Sequence, residues 1–227
     1  MILAAGLGKR MQPLTNNCPK PLLKLKNKPL IEYHLEAIAA TTIQDVVINT
    51  HWLGDMIPAA LGDGSRWQLT LHYSHEDALL ETAGGIREAL TTLDEGNDQP
   101  FLVINGDIYC SLNLSEWVSQ ALPRIENKQA VLGIVTNPTH NPEGDFVFDG
   151  QQLNLKQDSN ENRYTYSGIG LYRPSFFNAL PFGRCALAPL LFDAIARQSI
   201  TASIIHAPWT DVGTPERLQL LSTQLSD

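Results

Sequence analysis

A short apolar run, Met1 to Ala5, breaks directly into Gly6 and Gly8. The run reads as a buried strand. Two glycines after it let the backbone turn sharply and approach a ligand without a Cβ in the way. Arg10 sets a planar cationic fork just past the turn, and Lys20 adds a point charge further on. A strand, a glycine turn and two cations make a cradle suited to a polyphosphate.

This is neither a P-loop, because Gly-x-x-x-x-Gly-Lys-Ser/Thr does not occur, nor a dinucleotide fingerprint, because Met11 stands at the third glycine position. Gly6-x-Gly8 alone fits an ordinary tight turn equally well. The longer string is more specific. Leu3-Ala4-Ala5-Gly6-x-Gly8-x-Arg10-Met11-x-Pro13-Leu14, followed by Pro19-Lys20-Pro21-Leu22, resembles the signature of the sugar-1-phosphate nucleotidyltransferases. These enzymes join a nucleoside triphosphate to a sugar-1-phosphate and release pyrophosphate. Within the family the chain most resembles the N-acetylmuramate α-1-phosphate uridylyltransferases, over nearly its whole length.

The 227 residues are 43% hydrophobic, enough to fill the core of a single α/β domain. A net charge of −8 argues against nucleic acid or an acidic membrane as partner, so an anionic substrate has to meet a local cluster of cations. Cys18, Cys110 and Cys185 are too few and too scattered for a disulfide framework or a zinc site. No stretch of ~18 apolar residues occurs, and no signal peptide precedes the first strand, so the expected location is cytoplasmic.

Strand-like runs at Asp45–Asn49, Leu69–Tyr73 and Pro100–Asn105 alternate with helical spacing at Pro29–Ile38, Trp52–Leu61 and Thr82–Leu93. Such alternation predicts a doubly wound, mostly parallel sheet in a Rossmann-like α/β fold. After about residue 110 the pattern changes. Helices are expected at Leu114–Leu122, Ala186–Arg197 and Pro215–Leu225, and strands at Ala130–Val135, Phe146–Phe148, Leu153–Leu155, Thr165–Tyr172 and Ala202–His206. This second half, about 111–227, reads as a small antiparallel part covering the sugar, beside a nucleotide-binding half over about 1–110. Asp158–Asn162 is polar enough for a loop or hairpin tip.

Asn105-Gly106-Asp107 falls at the carboxyl end of a predicted parallel strand, where open α/β sheets bind ligands. Asp211 lies far along the chain in Trp209-Thr210-Asp211-Val212-Gly213-Thr214. The resemblance implies that Asp107 and Asp211 hold Mg²⁺, whose hard-oxygen preference suits carboxylates facing phosphates. It also implies that Arg10 and Lys20 serve the phosphates. Nucleotide contacts are implied at Leu3, Ala4, Ala5, Gly6, Gly8, Arg10, Lys20, Glu81, Ala83 and Gly84. Glu81 would accept the N3–H of uracil or thymine, while Gly84 would let the backbone approach the base. Sugar contacts are implied at Asn105, Gly144 and Asp145. One departure stands out: the Glu-Lys-Pro motif of many relatives is replaced by Leu155-Lys156-Gln157-Asp158.

The six histidines form no His-x-x-x-His pair and read as structural or surface residues. Cys18, between Arg10 and Lys20, is a candidate for a lowered pKa but reads as incidental. The implied substrates are UTP and N-acetylmuramate α-1-phosphate. Glucose-1-phosphate thymidylyl- or uridylyltransferase and mannose-1-phosphate guanylyltransferase are the alternatives, and a non-catalytic nucleotide-binding protein is the rival from another class. No hexapeptide-repeat extension follows residue 211, which fits an enzyme that receives its sugar phosphate ready-made. The lactyl carboxylate of muramate needs a cation or N–H donors; Lys156, Arg163 and Arg184 are the candidates.

Overall fold

A computed structural model describes residues 1–94, 96–155 and 162–225. Lys156 and residues 158–161 of the expected loop lie outside the described residues. In chain order the elements are β1 (Ile2–Leu3), a hairpin of β2 (Lys24–Leu25) and β3 (Lys28–Pro29), α1 (Leu30–Ala39), β4 (Asp45–Thr50), α2 (Met56–Leu61), β5 (Thr70–His75) and α3 (Glu81–Leu93). Next come β6 (Phe101–Asn105), β7 (Ile108–Cys110), α4 (Leu114–Ala121), β8 (Ala130–Thr136), β9 (Phe146–Phe148) and β10 (Leu153–Asn154). The chain continues through β11 (Arg163–Tyr172), α5 (Ser175–Asn178), α6 (Leu187–Ala196), β12 (Ile200–Ile204), β13 (Trp209–Asp211) and α7 (Pro215–Gln224).

The centre of the sheet runs β6-β1-β4-β5, all parallel. Strand alternation explains the layers. Val46, Ile48, Leu102 and Ile104 pack with α1, α2 and α4 on one face, whereas Val47 and Val103 pack with α3, α5 and α6 on the other. A period of two thus sends alternate side chains into two cores, as a sheet covered on both faces requires. β1 lies between β4, reached through α1, and β6, reached later in the chain. The strand order reverses there, and a crevice opens at the carboxyl ends of β1 and β6.

β11 extends the sheet antiparallel to β6. Its register against β8 shifts between Tyr166 and Gly170, and its first residues pair with β9 instead of β6. The sheet therefore splits, and the antiparallel part expected from the sequence is built on the far half of β11. The two-stranded ribbon of β7 and β13 sets Asp211 against Ile108. A third core joins Met11, Leu23, Leu25 and Leu30 to Val212 and Leu221, which fastens the segment after the glycine turn to α7.

One helical expectation needs correction. The helix expected from Trp52 begins only at Met56, because Leu53 takes a left-handed φ of 50° in a tight turn. The helix expected over Thr82–Leu93 runs from Glu81 to Leu93. No described helix is long and apolar enough to cross a membrane.

Candidate active site

β1 stops at Leu3 because the next N–H leaves the ladder: Ala4 N donates to Asn49 Oδ1 at 2.8 Å. Asn49 Nδ2 donates in turn to Glu76 Oε1 at 2.7 Å, and Glu76 Oε2 accepts from Leu80 N at 3.0 Å. Both side chains are buried. This relay laces the ends of β1 and β4 and the residue after β5 to the start of α3. It borders a cavity of about 200 Å³ lined by Leu3, Ala4, Ala5, Gly6, Lys20, Glu81, Thr82 and Asp107. Asn49 and Glu76 belong to no recognised motif, and the sequence reading missed them. The one trace they leave is a polar residue at the end of each strand's apolar run.

The glycine turn has a definite geometry. Gly8 sits at φ 62°, and a Cβ there would lie 2.8 Å from Thr15 Cγ2. Thr15 Oγ1 donates to Gly8 O at 2.8 Å and locks the turn. Beyond Gly6 a third cavity of about 260 Å³ opens between Gly8, Lys9, Arg10, Lys20, Asp107 and Gly213. Arg10 is exposed at its edge.

Lys20 Nζ donates to Asp107 Oδ2 at 2.7 Å, and both residues line the first and third cavities. Val212 N donates to Asp107 O at 2.8 Å, so the ribbon brings Asp211 beside Asp107. Asp211 Oδ1 accepts from Arg217 Nη1 and pairs with His140 Nε2 at 2.8 Å. Arg217 was not anticipated, and His140 is exposed, as expected, but neighbours the site through Asp211. Arg217 lies i+6 from Asp211, a spacing with no meaning until Thr214 caps α7 and turns the chain.

The base-side expectations are placed less uniformly. Glu81 lines the cavity but holds a left-handed φ of 59°, and its Oε1 accepts from Arg184 Nε at 2.7 Å and from Arg184 Nη2. Ala83 is packed in the core of α3 and does not line the cavity. Gly84 is needed for another close approach: a Cβ there would lie 2.3 Å from Gly183 O, and Gly84 N donates to Cys185 O at 3.0 Å. Its bare face meets the 183–185 segment.

A larger cavity of about 960 Å³ adjoins the first. Glu81, Thr82 and Asn105 line both, and Phe146, Leu155, Tyr166, Leu187, Leu191 and Phe192 form an apolar wall. Asp145 lines it too, but its Oδ2 accepts from Tyr166 N at 2.9 Å and its Oδ1 from Asn141 Nδ2 at 3.0 Å. Asp145 thus braces the 141–145 turn onto β11. Gly144 lies off the cavity against Asn137. Burial raises the Cys18 thiol above its ordinary pKa, opposite to the lowered value considered from its position.

The family profile described as nucleotidyl transferase matches residues 1–227. The chain belongs to that family. It is 42% identical over 221 residues to the N-acetylmuramate alpha-1-phosphate uridylyltransferase of Neisseria meningitidis serogroup B, covering 96% of this chain and 94% of that one. It is 28% identical to the protein of the same name from Caulobacter vibrioides, over 100% of this chain and 96% of that one. Among solved structures, a putative glucose-1-phosphate thymidylyltransferase from Bacillus anthracis superposes with a TM-score of 0.82 at 23% identity, covering 98% of this chain and 93% of that chain. That likeness supports the Rossmann-like fold. Family membership makes the chain a nucleotidyltransferase.

Proposed function

We propose that the chain transfers a uridylyl group from UTP to N-acetylmuramate α-1-phosphate, giving UDP-N-acetylmuramate and pyrophosphate. The observation that carries this reading is the 42% identity to a relative of that name across 96% of the chain. The geometry supports it: a small cavity suited to the base and ribose adjoins a larger one suited to the sugar, and Lys20 and Asp107 line the small cavity and the third one beyond Gly6. The same reading puts the reaction in the cytoplasm, in the salvage of cell-wall sugar, with neither nucleic acid nor membrane as partner.

In this reading an oxygen of the sugar phosphate attacks the α-phosphorus of UTP. A new P–O bond forms as the bond to the β-phosphate breaks, and pyrophosphate carries away the electron pair. The attacking phosphate is already ionised, so the chain supplies positioning and charge neutralisation. Lys20 neutralises the α-phosphate once it turns from Asp107. Arg10, Lys9 and the turn backbone at Gly8 receive the leaving pyrophosphate in the third cavity. The Asn49–Glu76 relay fixes the backbone at Ala4 and Leu80 around the base.

Asp107 and Asp211 fit a Mg²⁺ site. Among the described residues each keeps one carboxylate oxygen with no hydrogen-bond partner, Oδ1 on Asp107 and Oδ2 on Asp211. Among the described residues no group of three or more His, Cys, Asp or Glu gathers as a metal cage, here or elsewhere, so the two carboxylates would need other ligands. Two carboxylates completed by water and phosphate oxygens suit Mg²⁺. When bound, Mg²⁺ would offset the charge of the two phosphates brought together.

The deciding measurement is pyrophosphate release with UTP and Mg²⁺ over a panel of acceptors. kcat/KM is expected to be at least ~10-fold higher for N-acetylmuramate α-1-phosphate than for glucose-1-phosphate or N-acetylglucosamine-1-phosphate. A neutral-ring sugar used ~10-fold better would overturn the reading.

A further inference from the structure

The larger cavity poses a charge problem. Among the described residues, its charged lining residues are Glu81 and Asp145, both carboxylates. An acceptor bearing a carboxylate on its ring cannot bury that anion without a cation or several N–H donors nearby. Lys20 is paired with Asp107 at the phosphate end. Arg163 pairs with Glu143 and lines a separate cleft with Asn137 and Pro142.

Arg184 is placed differently. Its segment is stitched to the start of α3 by two backbone hydrogen bonds, Cys185 N to Leu80 O at 2.9 Å and Gly84 N to Cys185 O at 3.0 Å. Its guanidinium grips Glu81, which lines both cavities. The grip uses one edge of the fork, Nε and Nη2, on a single oxygen of Glu81. The other edge presents Nη1 and the second N–H of Nη2; Nη1 makes no hydrogen bond among the described residues, and the side chain is 72% exposed. A guanidinium presents five N–H donors in a fixed plane and binds carboxylates two-pronged.

We propose that Arg184, next to the cavity-lining Glu81 and Ala186 but outside the lining itself, reads the carboxylate of the acceptor sugar, and that Glu81 holds the fork so that its outer edge meets that group at the cavity mouth. This rests on the muramate reading above. Glu81 then has a reason for its left-handed backbone: it turns a carboxylate toward Arg184 at the join of the two cavities. Neutral-ring acceptors gain nothing from the outer edge, so Arg184 sets selectivity and leaves the transfer chemistry untouched.

The test compares kcat/KM for N-acetylmuramate α-1-phosphate, its lactyl methyl ester and N-acetylglucosamine-1-phosphate, in wild type, Arg184→Gln, Arg184→Lys and Lys156→Met. Arg184→Gln is expected to lose ~10-fold or more on the free acid, through KM, and to change less than ~3-fold on the ester and the neutral sugar. Arg184→Lys should keep part of the preference, and the KM for UTP should stay within ~3-fold in all variants. An Arg184→Gln enzyme that falls equally on all three acceptors makes the residue a brace for Glu81 and overturns the proposal. So does an Arg184→Gln enzyme with wild-type selectivity, or a selective loss in Lys156→Met alone. If wild type shows no preference for the free acid, the muramate reading itself fails, and the proposal fails with it. Preference in wild type that survives in Arg184→Gln removes the proposal alone.

Discussion

Lys20 Nζ lies 2.7 Å from Asp107 Oδ2, across a sequence separation of 87 residues. The amine is nearly buried and the carboxylate is 40% exposed, so the pair faces the cavity from the carboxylate side. In the proposed reaction, a lysine held this way would stand beside the reacting phosphates yet stay committed to a neighbour until they arrive. Lys20→Met is expected to lower kcat by at least ~100-fold, the scale of a lost transition-state contact. Its melting temperature should move little, because methionine keeps the buried stem packed and the Asp107 carboxylate left behind is 40% exposed. Pyrophosphate release and a thermal melt on one preparation check both halves, and a full-rate Lys20→Met enzyme removes the assignment.

The two carboxylates make a separate prediction. Asp107→Asn and Asp211→Asn should each be crippled, and chelator should abolish wild-type activity until Mg²⁺ is returned. Asp211→Asn should also lose stability, since it gives up the charge facing Arg217. A mutant with wild-type turnover at ordinary Mg²⁺ would reduce that carboxylate to a structural cap.

Gly84→Ala tests the packing behind the base cavity. The atom a Cβ would meet, Gly183 O, is backbone and cannot swing away. The strain should cost about 1–3 kcal/mol. For a chain of this size that corresponds to a fall of roughly 2–4 °C in Tm per kcal/mol. An unchanged Tm would mean that the 183–185 segment yields freely.

His34 predicts a pH dependence of folding. It is buried in α1, its Nε2 has no partner among the described residues, and desolvation lowers its pKa to about 4, opposed by the nearby Asp107 charge and the Ile108 backbone. The unfolded chain takes up this proton near pH 6.5, the ordinary histidine value. The unfolded state therefore binds more protons between those values. Stability from this group is complete above about pH 6.5 and falls as pH drops toward 4. From pH 7 to pH 5 the loss should be about 2 kcal/mol, and His34→Leu should flatten that part of the stability–pH curve. Urea midpoints at a series of pH values would show it, and parallel curves for the two proteins would refute it.

The fold was largely legible because the long elements carry a period. β4, β6 and β8 are continuous apolar runs of a strand buried on both faces, and α1, α3 and α6 keep helical spacing. The short pieces escaped. Two-residue strands such as β2 and β3 carry no period, and the β7–β13 ribbon pairs segments far apart in sequence. The site divides in the same way. Asp107 and Asp211 could be read from strand ends and motifs. Asn49, Glu76, His140 and Arg217 could not, because each matters through a partner that only folding brings near. Gly84 and Asp145 were legible as special residues but not in their partners, since a glycine that clears a ligand and one that clears a loop look alike in a sequence.

The β7–β13 ribbon fixes when, during synthesis, a working site can come into being. Asp107 emerges from the ribosome with the parallel strands, but its companion Asp211 arrives about a hundred residues later and reaches it only when β13 pairs back onto β7.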